Sequence, residues 1–163
     1  MGLKQDAFER LYAEQAQPLY AFLSYRTGDR VLAEDLLADT FERALRSRRR
    51  FDPRRAREKT WLYAIALNCL RDHARRRGSE ARAIERVAVA AGHGSSGEIE
   101  QIADRDLLQR CLTVLSDEER EAIALRFGAD LSVPEIARVA GEPLTTVEGR
   151  VYRALRKLRD SIE

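Results

Sequence analysis

The stretch LSDEEREAIALRFGADLSVPEIARVAGEPLTTVEGRVYRALRKLRD, from Leu115 to Asp160, writes three helix starts one after another in the same chemical form. Ser116-x-x-Glu119, Ser132-x-x-Glu135 and Thr145-x-x-Glu148 each read as a capping box. In that motif the hydroxyl accepts from a free backbone N–H and the Glu accepts from the N–H of the cap residue. One box arises by chance in many charged sequences, but three in register predict three consecutive short helices. Gly128 and Gly141 fall where the first two must stop, and glycine can take the left-handed conformation that closes a helix end without a Cβ clash. From Ser132 to Val151 the spacing is that of a helix-turn-helix: Ala137 allows close crossing, Gly141 makes the turn, and Val147 and Val151 pack the second helix back. That second helix runs on through Arg150, Tyr152, Arg153, Arg156, Lys157 and Arg159, a basic, hydrogen-bonding face of the kind a DNA major groove accepts.

The remainder of the chain sets bounds on this reading. It has 163 residues, 44% hydrophobic and 34% charged, a composition of folded helical protein rather than disorder. The net charge of +2 conceals a pattern, because basic residues concentrate at Arg43 to Lys59, Arg71 to Arg77 and Arg150 to Arg159. Apolar runs such as Val87 to Ala91 fall far short of the roughly 20 residues that cross a bilayer, and Met1 to Arg10 is polar, so a cytoplasmic protein is expected. Cys69 and Cys111 lie on apolar stripes and read as packed thiols rather than a bridge.

Helical periodicity recurs through Phe8, Leu11, Tyr12, Leu19, Phe22 and Leu23, and again through Leu32, Leu36, Leu37, Phe41, Ala44 and Leu45. A third helix from about Thr60 to Arg76 would bury Trp61, Leu62, Ile65, Ala66, Cys69 and Leu70. The Arg-rich connection before it, with Phe51 and Asp52-Pro53, reads as a loop. After Arg77 the character changes: Gly78-Ser79, an Ala-rich piece and the breaker Gly92 to Gly97 precede a further apolar stripe from Ile99 to Leu115. The fold expected is all-α, with two small helical domains, residues 1–77 and 105–163, on a flexible linker of residues 78–104.

AEDLLADTFERAL (Ala33 to Leu45), KTWLYAIALNCLRDHARRR (Lys59 to Arg77), LSDEEREAIALRF (Leu115 to Phe127) and LSVPEIARVAGEPLTTVEGRVYRALRKLR (Leu131 to Arg159) together resemble the bacterial RNA polymerase sigma factors of extracytoplasmic-function type. The resemblance covers nearly the whole chain. It implies a sigma region two at the N-terminus, a region four at the C-terminus, and a transcription initiation factor that brings core polymerase to promoters and helps melt the minus-ten element. Its partners would be core RNA polymerase, through the β′ clamp helices and the β flap, promoter DNA, and an anti-sigma factor.

Asp35, Asp39 and Glu42 fall at i, i+4 and i+7 on one face of the second helix. The resemblance makes that face the docking site for the β′ clamp helices; without it, an ordinary solvated face would be the simpler reading. Arg46 to Arg77 mixes phosphate-neutralising arginines with groups that can receive an unstacked base. There the resemblance implies Phe51, Asn68, Arg71, Arg75 and Arg76 as minus-ten contacts, with Trp61 read as a core anchor. For the minus-thirty-five element it implies Thr145, Thr146, Glu148, Gly149, Arg150, Tyr152, Arg153 and Lys157. Family members often carry a basic residue and then Ser where this chain has Glu148-Gly149, which leaves Glu148 either as a cap or as an acceptor from a cytosine amino group.

Two other classes of function fit the residues less well. Cys69, His73, His93 and Cys111 could make a zinc quartet, yet His93 sits in the breaker and no Glu motif accompanies them, so no metal and no cofactor are expected. Phosphate loops, nucleophile elbows and paired catalytic carboxylates are missing too, which speaks against an enzyme. A free-standing helix-turn-helix regulator would need a ligand or receiver domain where this chain has an acidic helix and a basic loop.

Overall fold

Phe8, Leu11, Leu19, Phe22 and Leu23 recur at helical spacing and are buried along one side of α1 (Gln5–Thr27). The helix ends at Gly28, which takes φ 64° and donates its N–H to the carbonyl of Ser24. Asp29 then caps α2 (Arg30–Ser47) by accepting from the amides of Val31 and Leu32 at 3.0 and 3.2 Å. This two-residue link turns α2 back on α1, and Phe41 meets Phe8 and Tyr12 edge-on at centroid distances of 6.3 and 4.7 Å. A 3-10 turn at Arg48–Arg50 and an irregular loop lead to α3 (Glu58–Arg77), which packs on both earlier helices.

The structure, a computed structural model, describes residues 2–78, 110 and 113–162. Most of the anticipated linker, the breaker with His93, and Cys111 lie outside the described residues. Among those described, all regular structure is helical, as expected. The C-terminal lobe consists of α4 (Asp117–Ile123), a π-turn over Ala124–Gly128, α5 (Val133–Ala140) and α6 (Leu144–Ile162).

Two of the three capping boxes form as read. Ser116 Oγ accepts from the Glu119 amide while Glu119 accepts from the Ser116 amide, and Ser132 and Glu135 do the same. The third does not form. Pro143, with no N–H to satisfy and a φ already suited to a helix start, offers its carbonyl to Thr146 and Val147 at 3.1 and 3.2 Å. The helix therefore begins at Leu144, and Thr145 lies inside its first turn. Gly141 ends α5 in the left-handed conformation, at φ 67°. Gly128 does not play that part for α4: the π-turn absorbs one more residue, and Asp130 takes the positive φ of 55° instead.

The buried side of α3 is also broader than the periodicity suggested. Tyr63 and Leu67 are fully buried, whereas Trp61 and Ile65 are half-buried. The cause is that α3 is covered twice, by α1 and α2 and by α5 of the other lobe. One continuous buried cluster runs from Leu3 through α3 to Ile136, Val147 and Val151. The two lobes are thus seated on each other rather than merely strung together. A second, smaller cluster joins Tyr25 of α1 to Leu115, Ile123, Ala154 and Leu158.

Candidate docking and nucleic-acid surfaces

The acidic positions of α2 are not equivalent. Asp35 is exposed. Asp39 pairs with Arg43 at 3.1 Å, and Arg43 reaches on to Asp72 of α3 at 2.9 Å, so this pair ties two helices together. Bonds from Arg43 and Arg75 hold the Asp72 carboxyl below its usual range. Glu42 is engaged by Arg46 one turn on. Among the described residues, Asp39 and Glu42 each pair with an arginine, whereas Asp35 is exposed and has no ion pair.

On α3, Asn68 is exposed, and Arg76 is exposed at the helix end. Arg75 is bound to Asp72, and Arg71 donates to the carbonyl of Ala140 in α5 at 3.1 Å. Phe51 is 5% exposed and stacks obliquely on Trp61, 5.3 Å between centroids. Its ring fastens the loop to α3 rather than standing open to a base. Sequence periodicity could not show this, because the partner lies across a loop.

On α6, Val147, Val151 and Ala154 face inward and set the helix against α4 and α5. Thr145, Thr146, Glu148, Tyr152 and Arg153 are exposed, Tyr152 at 68%. With the third capping box unmade, the Glu148 carboxylate is outward and uncommitted to a cap. Gly149 leaves room for Arg153 to fold along the helix, for a Cβ at Gly149 would come within 3.1 Å of the Arg153 guanidinium. Two positions read as DNA contacts are occupied within the fold. Arg150 grips Glu142 of the turn through two bonds, 3.0 and 2.7 Å, and Lys157 binds both oxygens of Glu119 at 3.1 and 2.9 Å. Burial pushes the Glu119 carboxyl up, but Lys157 and the Ser116 amide outweigh it and leave it below the usual range.

Sequence reasoning missed the group of side chains between the lobes. Glu135, the cap partner of α5, also receives two bonds from Arg57 at 2.8 Å each and one from the Thr60 hydroxyl. Burial alone would raise its pKa; the bonds from Arg57, Thr60 and Ser132 together lower it to about 2. Because the carboxyl is depressed from 4.5, the stabilisation it gives is complete above that value and fades only as pH falls toward 2. The contact is therefore constant across the neutral range. Arg138 donates to the carbonyl of Arg55, and Arg26 of α1 lies 3.7 Å from Glu121 of α4. Among the described residues no cluster of metal ligands occurs, and no helix is long and apolar enough to cross a membrane.

Comparison with known proteins places the chain in a family. A family model described as Sigma-70 region 2 matches residues 5–80, and one described as Sigma-70, region 4 matches residues 105–158. The RNA polymerase sigma factor CarQ of Myxococcus xanthus is 34% identical over 157 residues, 96% of this chain and 89% of CarQ. The sigma factor BldN of Streptomyces coelicolor is 32% identical over 162 residues; the alignment takes in 94% of this chain but only 59% of that relative. Among solved structures, the sigma factor RpoE bound to the anti-sigma factor NepR from Bartonella quintana superposes with a TM-score of 0.72 at 25% identity, covering 95% of this chain and 96% of that one. CnrH in complex with the cytosolic domain of CnrY gives 0.68 at 26% identity, covering 98% and 89%. With both sigma regions matched in order, and an all-helical fold carrying a helix-turn-helix, the chain belongs to the sigma-70 family as a promoter-directing transcription initiation factor of the extracytoplasmic-function type.

Proposed function

We propose that residues 1–77 act as region two, docking on the β′ clamp helices and holding the melted minus-ten strand, and that residues 105–163, joined by 78–104, act as region four on the β flap and the minus-thirty-five duplex. The protein works in the cytoplasm as a binding factor without catalytic chemistry, and an anti-sigma partner restrains it. That last assignment draws on RpoE and CnrH, each solved with a partner, NepR described as an anti-sigma factor and a cytosolic domain of CnrY. The observation that carries the reading is that an unneutralised acid on α2 and an open row of side chains on α6 stand on separate lobes of one chain.

Docking then rests first on Asp35. Reversing it as Asp35→Lys is expected to weaken core polymerase binding by roughly fivefold, the equivalent of about 1 kcal/mol for a rim charge, without loss of helix. Asp39→Lys is a poorer probe, since it sets a lysine against Arg43 and loosens the tie to Asp72. Unchanged affinity in a pull-down with Asp35→Lys would return this face to a solvated one.

At the upstream element, Thr145, Thr146, Glu148, Tyr152 and Arg153 meet bases and phosphates, while Arg150 and Lys157 position the helix from within. Arg150→Ala is expected to leave the salt slope of duplex binding unchanged and to lower region-four stability, because its guanidinium is committed to Glu142. A slope smaller by about one unit would make Arg150 a phosphate contact instead.

A further inference from the structure

Ahead of α1, Gly2 and Leu3 lie against the 3-10 turn, Arg48–Arg50, that opens the loop before α3. The Leu3 amide donates to the carbonyl of Arg48 at 2.7 Å, and the Leu3 side chain, 6% exposed, joins the same buried cluster as Phe51. Gly2 passes so close to the turn that a Cβ there would come within 2.9 Å of both the Cα and the carbonyl oxygen of Arg49. Its φ of 112° is also one that residues bearing side chains rarely adopt, so two separate constraints call for glycine. At the first position of α1, Gln5 accepts from the Arg48 guanidinium. A segment serving only to fill the core would need Leu3, but not the close passage of Gly2 along Arg49, which buries no apolar side chain.

The Arg48 carbonyl also accepts from the Phe51 amide at 3.3 Å, so this strap and the loop hang on one oxygen. Beyond Phe51 the chain folds on Asp52, whose side chain accepts from the Arg54 amide at 3.0 Å and whose carbonyl accepts from the Arg55 and Ala56 amides at 3.0 and 3.4 Å. The loop is thus fixed at its start by the strap, next by Phe51 on Trp61, and then by Asp52. With the Phe51 ring turned inward, the loop meets a base through backbone and polar groups, which recognise it only when held to about half an ångström. We propose that Gly2 and Leu3 are positioning residues for minus-ten recognition: they touch no DNA, and they set the loop on α3 so that it discriminates among bases of the melted strand. This role rests on the region-two reading of residues 1–77.

Transcription of a pool of templates of randomised sequence, by core polymerase with the full chain, tests this role when the start-site motifs are read by sequencing the RNA. Gly2→Ala drives a Cβ into the Arg49 backbone without altering the core, and Leu3→Ala withdraws the buried apolar group while leaving the amide in place. Both are expected to relax base preference in the downstream motif by roughly fivefold to tenfold, the worth of one displaced hydrogen bond, and to leave the upstream motif as it was. Leu3→Met, which refills the space at nearly constant volume, should keep the preference. A chain that was merely less stable would give fewer starts carrying the same two motifs, and that result in Gly2→Ala would overturn the positioning role. So would an unchanged downstream motif in both Gly2→Ala and Leu3→Ala, or equal relaxation of both motifs. If the unaltered chain enriched an upstream motif but no downstream one, the region-two reading itself would fall, and the positioning role with it.

Discussion

Cutting the chain near Gly94 is expected to abolish promoter-directed transcription while both halves stay helical. Each lobe keeps its own helix contacts, α1 with α2 and α3 on one side and α4 and α5 with α6 on the other. In the proposed reading the two lobes engage separate promoter elements on polymerase, so the interaction between lobes in the resting chain does not help them there. A tether raises the second binding event by an effective concentration worth roughly 10²–10⁴ in avidity, and cleavage removes that factor entirely. A protease site placed in the 78–104 segment, cleaved before run-off transcription, measures the loss. Full activity from separated halves would show that tethering contributes nothing.

Asn68→Ala and Arg153→Ala are expected to damage different steps. Asn68 is exposed on α3 and carries both donor and acceptor, the equipment for the edge of a base taken out of the stack. Its loss should impair promoter opening and spare upstream duplex binding, because no base is unpaired there. Arg153 stands outward on α6, free of the pairs that occupy Arg150 and Lys157. Its loss should weaken duplex binding by roughly 1–3 kcal/mol if it reads a base edge, or reduce the salt slope by about one unit if it holds a phosphate. Permanganate footprinting separates the two steps. Normal melting with Asn68→Ala, or damage by both variants at the same step, would contradict the division of labour.

What the sequence revealed about this fold was local. Ser116 and Ser132 could be read as caps because a capping box closes within four residues, and Gly141 because a left-handed helix end favours glycine. Thr145 misled for an equally local reason: Pro143, two residues before it, starts the helix with its own carbonyl. The open positions of the candidate site, Asp35, Asn68, Tyr152 and Arg153, were legible from helical phase together with family resemblance. The charge partners were not. Lys157 finds Glu119 at a separation of 38 residues and Arg57 finds Glu135 at 78, and no periodicity links such positions. Arg150 and Lys157, basic and in the register of DNA contacts, read as unpaired in the sequence, whereas in the fold each meets a carboxylate. Phe51 looked like an open ring for the same reason, as its burial depends on Trp61 across a loop.

If one chain directs polymerase by two separate DNA surfaces, transcription from a sheared genomic library shows it most directly. Core polymerase with this chain should produce start sites absent with core alone, sharing two short motifs at a fixed spacing upstream. The Asn68→Ala chain should lose those starts while still recruiting polymerase to the upstream motif. If the chain bound DNA alone but produced no new starts with core polymerase, it would be a free-standing regulator and the account would be contradicted.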